Sequence, residues 1–385
     1  MKQLFKEPLS LFALLLSICS SSALSQTAYF PPAGDWQRRA PEEVGMDPLR
    51  LQAAIELAQQ NTIVEPKDLS LFIENSFGSE PHFSIIGPVT PRKEGSGLII
   101  KNGFIVAEWG DTDRVDMTFS VTKSYLSIVA GLAEDSGLID DDGDRVKDYF
   151  PHESFNDPHN SAITWRHFLT QSSEWQGTLW GKPDWADRPI SRDPEIAKTR
   201  ELRTPGTYYK YNDVRVNMLA YALTHVWQQS LEAVLREKIM NPINASDNWS
   251  WNGYDNSWIE INGEQVNSVS GGGHWGGGLF ISTMDHARFG YLMLRNGNWA
   301  GEQLISENWI RKLRRPSQSS GYYGYLWRRN FNNTVVPNAP TNIFYATGAG
   351  GNYIWVDQHN DLLIVLRWVG RNMPEVVGAI TDAVL

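Results

Sequence analysis

The sequence predicts an α/β fold in which one antiparallel sheet, flanked by helices, carries an inserted subdomain. Strand-like runs lie near both ends of the 385-residue chain, whereas residues 150–280 are rich in Trp, Asn, Pro and Gly. Strands at both ends of a helical, loop-rich middle favour a single sheet domain with an insertion. We expect residues 26–149 and 281–385 to form the sheet domain and residues 150–280 to form the insertion.

Local signals justify each element in turn. Residues 47–61 are predicted to be a helix, with Asp47 as its cap and Pro48 in its first turn. Residues 97–110 are predicted to be a hairpin, because two apolar runs flank Asn102-Gly103. Hydrophobic periodicity predicts the remaining elements: helices over 120–135, 165–170, 214–237 and from about 374, and strands over 353–356 and 362–368.

Composition excludes several classes of function. The formal net charge of −10 argues against a nucleic-acid or anionic-membrane partner, since both need a basic surface. The single cysteine excludes a disulfide framework and a cysteine-based metal site. We expect neither a metal nor a cofactor, and the sequence indicates no oligomeric state.

The N-terminal segment has the pattern of a secretory signal. Lys2 and Lys6 precede an apolar run that is too short to span a bilayer, and small residues follow at Ala23 to Ser25. We therefore expect residues 1–25 to be cleaved, a periplasmic or secreted location, and no membrane anchor. A buried N-terminal helix is the alternative interpretation.

The first chemical motif is Ser120-Val121-Thr122-Lys123. Positions i and i+3 share a helix face, so the lysine ammonium can reach the serine hydroxyl. Free N–H groups at a helix start suit a developing oxyanion, and a desolvated lysine with a lowered pKa could accept the serine proton. Taken alone, the motif is equally compatible with a solvated helix start.

Two further motifs place polar and small residues where a ligand could approach. Tyr211 follows a Pro-Gly turn, and a tyrosine near a cationic lysine could act as a base, although a loop tyrosine is the simpler interpretation. Thr347-Gly348-Ala349 leads into a strand, and a backbone N–H there could be a second oxyanion donor. A tight hairpin would explain these small residues equally well.

Together and in this order, the motifs resemble those of the serine β-lactamase-like family, which includes class C β-lactamases, D,D-peptidases, esterases and 6-aminohexanoate-dimer hydrolase. The family pattern is Ser-x-x-Lys, a Tyr-x-Asn element and Lys-Thr-Gly or a variant. The resemblance implies a β-lactamase/transpeptidase-like fold with Ser120 as the acylated nucleophile and Lys123 as its proton partner. It also implies that Tyr211 shuttles protons and that the backbone N–H groups of Ser120 and Ala349 form the oxyanion hole.

Departures from the pattern concern the substrate. Ala346 stands where the family usually has a lysine that helps to bind a carboxylate, and Asp213 replaces the usual asparagine. An extra acid facing the cleft would repel an anionic substrate. Both changes favour a neutral or cationic ester or amide, and residues 175–187 look most like the esterase and 6-aminohexanoate-dimer hydrolase branch.

We therefore expect a hydrolase acting on a small ester, amide or peptide-like molecule. The residues expected at the substrate are Asp213, Thr347, Gly348, Trp175 and Trp180, although the tryptophans, two of 16 in the chain, could equally be packing residues. A β-lactamase or D,D-peptidase is the nearest alternative. A non-catalytic protein that uses the same cleft to hold a ligand is another.

Overall fold

The computed structural model describes residues 28–370 and 372–385, so the expected signal segment lies outside the described residues. The strands are β1 (Ser96–Lys101), β2 (Phe104–Trp109), β3 (Asp116–Met117), β4 (Thr178–Leu179), β5 (Lys182–Pro183), β6 (Ser250–Ile261), β7 (Glu264–Val269), β8 (Gly278–Ile281), β9 (Asn298–Trp299), β10 (Glu302–Gln303), β11 (Arg328–Arg329), β12 (Phe344–Gly348), β13 (Asn352–Asp357) and β14 (Leu362–Arg367).

The helices connect and cover these strands. They are α1 (Pro48–Gln60), α2 (Leu69–Phe77), α3 (Thr122–Asp135), α4 (Val146–Tyr149), α5 (Trp165–Leu169), α6 (Pro194–Lys198), α7 (Asp213–Trp227), α8 (Leu231–Leu235), α9 (Thr283–Leu294), α10 (Glu307–Arg314) and α11 (Met373–Asp382). Short 3₁₀ turns lie at Pro41–Val44, Phe119–Val121, Glu153–Phe155, Asn160–Ala162, Asp184–Ala186 and Phe331–Asn333, and a π-helical turn spans Arg236–Met240. No helix within residues 28–370 and 372–385 has the length and apolar character needed to cross a membrane.

The main sheet is antiparallel, with the strand order β11-β12-β13-β14-β1-β2. Alternate side chains serve its two faces, since Ile99 and Ile364 pack with α1 and α11, whereas Leu98 and Val365 pack with α3 and α9. The predicted hairpin is confirmed, and Asn102 and Gly103 both have the positive φ of the expected two-residue turn. This central, doubly covered sheet is the rigid support for β12.

The middle of the chain contains more strand than the sequence analysis expected. The hairpin β6–β7 joins β8 and β3 in a second sheet of order β3-β8-β6-β7. Its turn is another Asn-Gly pair, Asn262-Gly263, with φ of 53° and 85°. This part of the expected insertion is therefore a hairpin, and its aromatic and β-branched residues favour a strand.

The predicted helix over 214–237 is interrupted. Helix α7 ends at Trp227 because Gln228 adopts a left-handed conformation, with φ of 54°, and Ser230 caps the next helix, α8. The start of α7, the start of α3 and the end of β12 converge at one place, where Lys123 bonds to Asp213 and Gly348 lies against the backbone of Ser120. The candidate site is built there.

Candidate active site

Ser120 lies in a 3₁₀ turn directly before α3. The preceding residue, Phe119, has φ of 48°, a left-handed conformation that is strained for a bulky side chain. Phe119 and Val121 are buried, whereas Ser120 is half-buried. The strained turn therefore presents the Ser120 hydroxyl to solvent at the start of a helix that is otherwise almost wholly buried.

Lys123 meets Ser120 as the helical spacing predicts. The distance from Lys123 Nζ to Ser120 Oγ is 3.1 Å. The lysine side chain is only 1% exposed, and its Nζ lies 2.5 Å from Asp213 Oδ1 at the start of α7. Asp213 in turn accepts a hydrogen bond from Arg188 at 2.7 Å.

The pKa of Lys123 is shifted in the direction opposite to the one that the sequence suggested. Burial by itself would lower the lysine pKa, but the Asp213 carboxylate outweighs it, and the pKa of Lys123 is raised above its ordinary value. Burial would likewise raise the pKa of Asp213, but Lys123 and Arg188 hold it well below its usual range. Lys123 is thus an ammonium that donates to the serine, not a neutral base.

Asp213 also differs from its expected place in the cleft. Its side chain is 1% exposed, and both carboxylate oxygens are engaged by cations. The backbone N–H of Asp213 donates to Asp187, which is itself paired with Arg188. Asp213 is therefore a buried partner of Lys123 and adds no free negative charge that would repel an anionic substrate.

Tyr211 lies beside this ion pair. Lys123 Nζ and Arg188 Cζ are each 4.9 Å from the centre of its ring, and the side chain is half-buried. Within the described part of the chain, the Tyr211 hydroxyl forms no hydrogen bond, to Ser120 or to any other group. Of the two groups expected to contact the serine oxygen, only Lys123 does so.

The end of β12 closes against the serine backbone. A Cβ added at Gly348 would overlap Thr118 O and lie 3.2 Å from Ser120 N, so only glycine permits this approach. Within the described residues, no hydrogen bond outside helices and strands is donated by the N–H of Ser120 or Ala349, and Ser120 lies in the first turn of its 3₁₀ helix, where an N–H has no acceptor inside the helix. Both groups are therefore available to an oxyanion, and Thr347 lies half-buried on the same strand.

Hydrogen bonds from Asn352 and Arg367 fix the backbone at Ala349. Asn352 Nδ2 donates to Ala349 O at 2.7 Å, and Arg367 Nε donates to Asn352 Oδ1 at 2.6 Å. His286 is buried and bonds to Thr118 Oγ1 at 2.8 Å, two residues before Ser120. These contacts fix the turn and the strand end on which the site depends.

The two tryptophans expected at the substrate lie elsewhere. Trp175 has no exposed surface and belongs to the main core, with Gly177 packed against its ring, so it does not line the cleft. Trp180 is partly buried and packs on Tyr221, with the ring centres 5.3 Å apart, two turns along α7 from Asp213. Trp175 is one of the packing residues that the sequence analysis kept as an alternative.

Several charged residues of the site carried no signal in the sequence. Arg188 Nη2 contacts His274 Nδ1 at 3.1 Å, and His274 Nε2 contacts Glu80 Oε2 at 2.7 Å. Metal-ligand atoms of Glu80, Asp187 and His274 lie within 4.8 Å of one another, and Arg188 donates a hydrogen bond to Asp187 and contacts His274, so two of these side chains already have a partner. These residues are far apart in the chain, so spacing could not have revealed them.

With this geometry established, comparison with known proteins identifies the family. The family model described as Beta-lactamase matches residues 98–378. The chain belongs to the beta-lactamase family. Members of this family are serine hydrolases, including esterases and carboxypeptidases, so the predictions of the fold and of a serine hydrolase are confirmed.

Individual relatives are distant. An Escherichia coli (strain K12) protein named as a candidate D-alanyl-D-alanine carboxypeptidase is 24% identical over 268 residues, which are 58% of this chain and 61% of the relative. The chain therefore spans about three fifths of that relative's length. Two solved structures share the fold: a candidate 6-aminohexanoate-dimer hydrolase from Bacillus anthracis (TM-score 0.53, 13% identity, 92% and 97% of the two chains) and a family VIII carboxylesterase (TM-score 0.56, 16% identity, 88% and 99%).

Proposed function

We propose that this protein hydrolyses an ester or amide of a small molecule or peptide through an acyl-enzyme on Ser120. The observation that carries the proposal is the 3.1 Å contact between Lys123 Nζ and an accessible Ser120 Oγ, next to two backbone N–H groups free to hold an oxyanion. A cationic donor, a hydroxyl nucleophile and an oxyanion site are the parts that acyl transfer requires.

In this mechanism Tyr211 carries the protons. Ser120 Oγ attacks the carbonyl carbon, its proton passes to the unprotonated oxygen of Tyr211, and the N–H groups of Ser120 and Ala349 stabilise the oxyanion. Tyr211 then gives that proton to the leaving group, and the acyl-enzyme forms as the carbonyl–leaving-group bond breaks. A water molecule next gives a proton to Tyr211 and attacks the acyl carbon. The bond from that carbon to Ser120 Oγ breaks, Tyr211 returns the proton to Oγ, and the acid is released.

The charges around Tyr211 support this assignment. Lys123 and Arg188 lie on its ring, and positive charges there stabilise the negative charge that the phenol oxygen bears when its proton is away. Lys123, held as an ammonium by Asp213, serves as a donor to Ser120 and orients the hydroxyl. We further propose that residues 1–25 are a cleaved signal and that the enzyme acts in the periplasm or outside the cell.

The first test is hydrolysis of p-nitrophenyl butyrate by the wild type and by Ser120→Ala. We expect the variant to lose about three orders of magnitude or more in kcat. Ser136→Ala is the matched control, because Ser136 is exposed at the opposite end of α3. A slowly deacylating ester should add one acyl group to the wild type and none to Ser120→Ala by intact-mass spectrometry. Equal activity of the wild type and Ser120→Ala would refute the assignment.

A D,D-carboxypeptidase or β-lactamase activity is the second candidate. It is favoured by the name of the E. coli relative. Release of D-alanine from a peptide ending in D-Ala-D-Ala, or rapid turnover of a chromogenic cephalosporin, would favour it over a simple ester. Stoichiometric ligand binding without turnover or acylation would instead support a non-catalytic binding protein.

A further inference from the structure

The edge of the main sheet beside the nucleophile carries Arg328, which has no carboxylate partner among residues 28–370 and 372–385. Arg328 lies on β11 opposite Tyr345 of β12, one residue before Ala346. Its guanidinium carbon is 5.8 Å from the ring centre of Tyr211 and 5.9 Å from that of Tyr323. Arg328 therefore faces the same tyrosine that we assign to proton transfer.

The other two cations at Tyr211 are already neutralised. Lys123 is paired with Asp213, and Arg188 is paired with both Asp213 and Asp187. Within the described ranges, by contrast, the Arg328 side chain forms no ion pair and no hydrogen bond. The contacts of its guanidinium are with the aromatic rings of Tyr211 and Tyr323.

A half-buried guanidinium among aromatic rings lacks the carboxylate or carbonyl oxygens that usually satisfy its five donors. Because the guanidinium is half-buried, a ligand can reach it and take the place of water on its free donors. A carboxylate fits best, because its two oxygens match the guanidinium fork and the bond is assisted by charge.

We infer that Arg328 binds a carboxylate of the substrate, so that the preferred substrates are anionic esters or amides. This inference rests on the proposed function and deepens it. It also reverses the sequence-based expectation of a neutral or cationic substrate. That expectation had two grounds, the missing lysine at Ala346 and the extra acid at Asp213. The structure supplies a cation from the neighbouring strand and neutralises the acid.

The test compares matched anionic and neutral esters. The first pair is mono-p-nitrophenyl glutarate and p-nitrophenyl butyrate, in which the anionic ester carries its carboxylate on the acyl side. The second pair is 4-carboxyphenyl butyrate and phenyl butyrate, in which the anionic ester carries its carboxylate on the leaving group. We expect the wild type to prefer the anionic member of one pair, and Arg328→Gln to lower the ratio of the two kcat/KM values in that pair by about 10- to 100-fold.

Arg329→Gln is the matched control. Arg329 is the next residue on β11 and is also half-buried, but its guanidinium already donates a hydrogen bond to Gly321 O at 2.9 Å. We expect it to keep the wild-type ratio. The inference is overturned if the wild type turns over both pairs without preferring either anion, or if Arg328→Gln keeps the wild-type preference.

A binding measurement separates this inference from the proposed function. Glutarate binding by isothermal titration calorimetry is expected to be weaker in Arg328→Gln than in the wild type by about 10-fold or more. If no ester is hydrolysed but this difference is found, the proposed hydrolysis fails and the anion site stands. If glutarate binds equally to both proteins, or to neither, the anion site fails whatever the activity.

Discussion

Replacing Asp213 by Asn tests the electrostatic core of the site. The variant removes one negative charge and restores the residue that the family pattern usually has at this position. In the wild type, Lys123 Nζ and Asp213 Oδ1 are 2.5 Å apart with both side chains 1% exposed, and Arg188 holds the second oxygen at 2.7 Å. The carbonyl oxygen of Asn could still accept the hydrogen bond from Lys123. Its NH₂ group would face the guanidinium of Arg188, and because both are donors, no hydrogen bond could form there.

The expected loss of unfolding free energy follows from the burial of this ion pair. Removing one partner of a buried ion pair typically costs about 3–5 kcal/mol. Because Asn keeps an acceptor for Lys123, we expect Asp213→Asn to lower the free energy of unfolding by about 3 kcal/mol, near the lower end of that range. The effect of burial on Lys123 is then unopposed, so its pKa falls. If the ammonium is needed, as we propose, the variant loses activity at alkaline pH where the wild type keeps it.

Two assays measure these effects: urea unfolding near pH 7, and the dependence of kcat/KM on pH. Asp184→Asn is the control, because Asp184 forms a buried ion pair with Arg215, at 3.0 Å, that does not include Lys123. We expect the control to lose stability without moving the alkaline limb of the profile. The reasoning is refuted if Asp213→Asn unfolds within about 0.5 kcal/mol of the wild type, or gains activity at alkaline pH.

Two further predictions concern the tight packing at Gly272 and the half-buried side chain of His167. Gly272→Ala should abolish ester hydrolysis, because the added Cβ overlaps Asp213 Oδ1 and Lys123 Nζ; Gly378→Ala on α11, whose added Cβ meets nothing closer than 3.4 Å, should leave kcat/KM unchanged. Burial, together with Arg166, lowers the pKa of His167 to about 4. The unfolded chain therefore binds more protons between about pH 6.5 and 4, and stability falls as the pH falls through that range. Because His167 is only half-buried, we expect about 1–2 kcal/mol between about pH 7 and 5 by urea unfolding, less in His167→Gln. An equal loss in both proteins would contradict this origin.

Much of the fold was predictable because its signals are local. The cap at Asp47, the hairpin turn at Asn102-Gly103 and the periodicity of α3 each act within a few residues. The hairpin β6–β7 had an equally local signal in Asn262-Gly263, which the Trp-rich composition of the surrounding segment obscured. The bounds of the inserted subdomain stay a prediction.

The candidate site was predictable only where its residues are neighbours in the chain. The contact between Ser120 and Lys123 follows from one helical turn. The pairing of Lys123 with Asp213 joins residues 90 positions apart, and Arg328 reaches Tyr211 from another strand. No spacing rule links such residues, so the sequence offered a lowered pKa for Lys123, whereas the pKa is raised in the structure. A pKa depends on the nearest charges in space, which only the tertiary structure supplies.

The balance of charges around Tyr211 links mechanism to substrate. In the proposed mechanism, Asp213 keeps Lys123 as an ammonium, and Tyr211 is the group that moves the serine proton. Two buried carboxylates also neutralise Lys123 and Arg188, so neither cation is free to attract a substrate. Arg328, which has no carboxylate partner among residues 28–370 and 372–385, then places a further positive charge beside the proposed base. A substrate carboxylate would pair with the positive charge of Arg328. In this proposal Asp213 therefore has two effects: it keeps Lys123 protonated, and it leaves Arg328 as the cation that binds an anionic substrate.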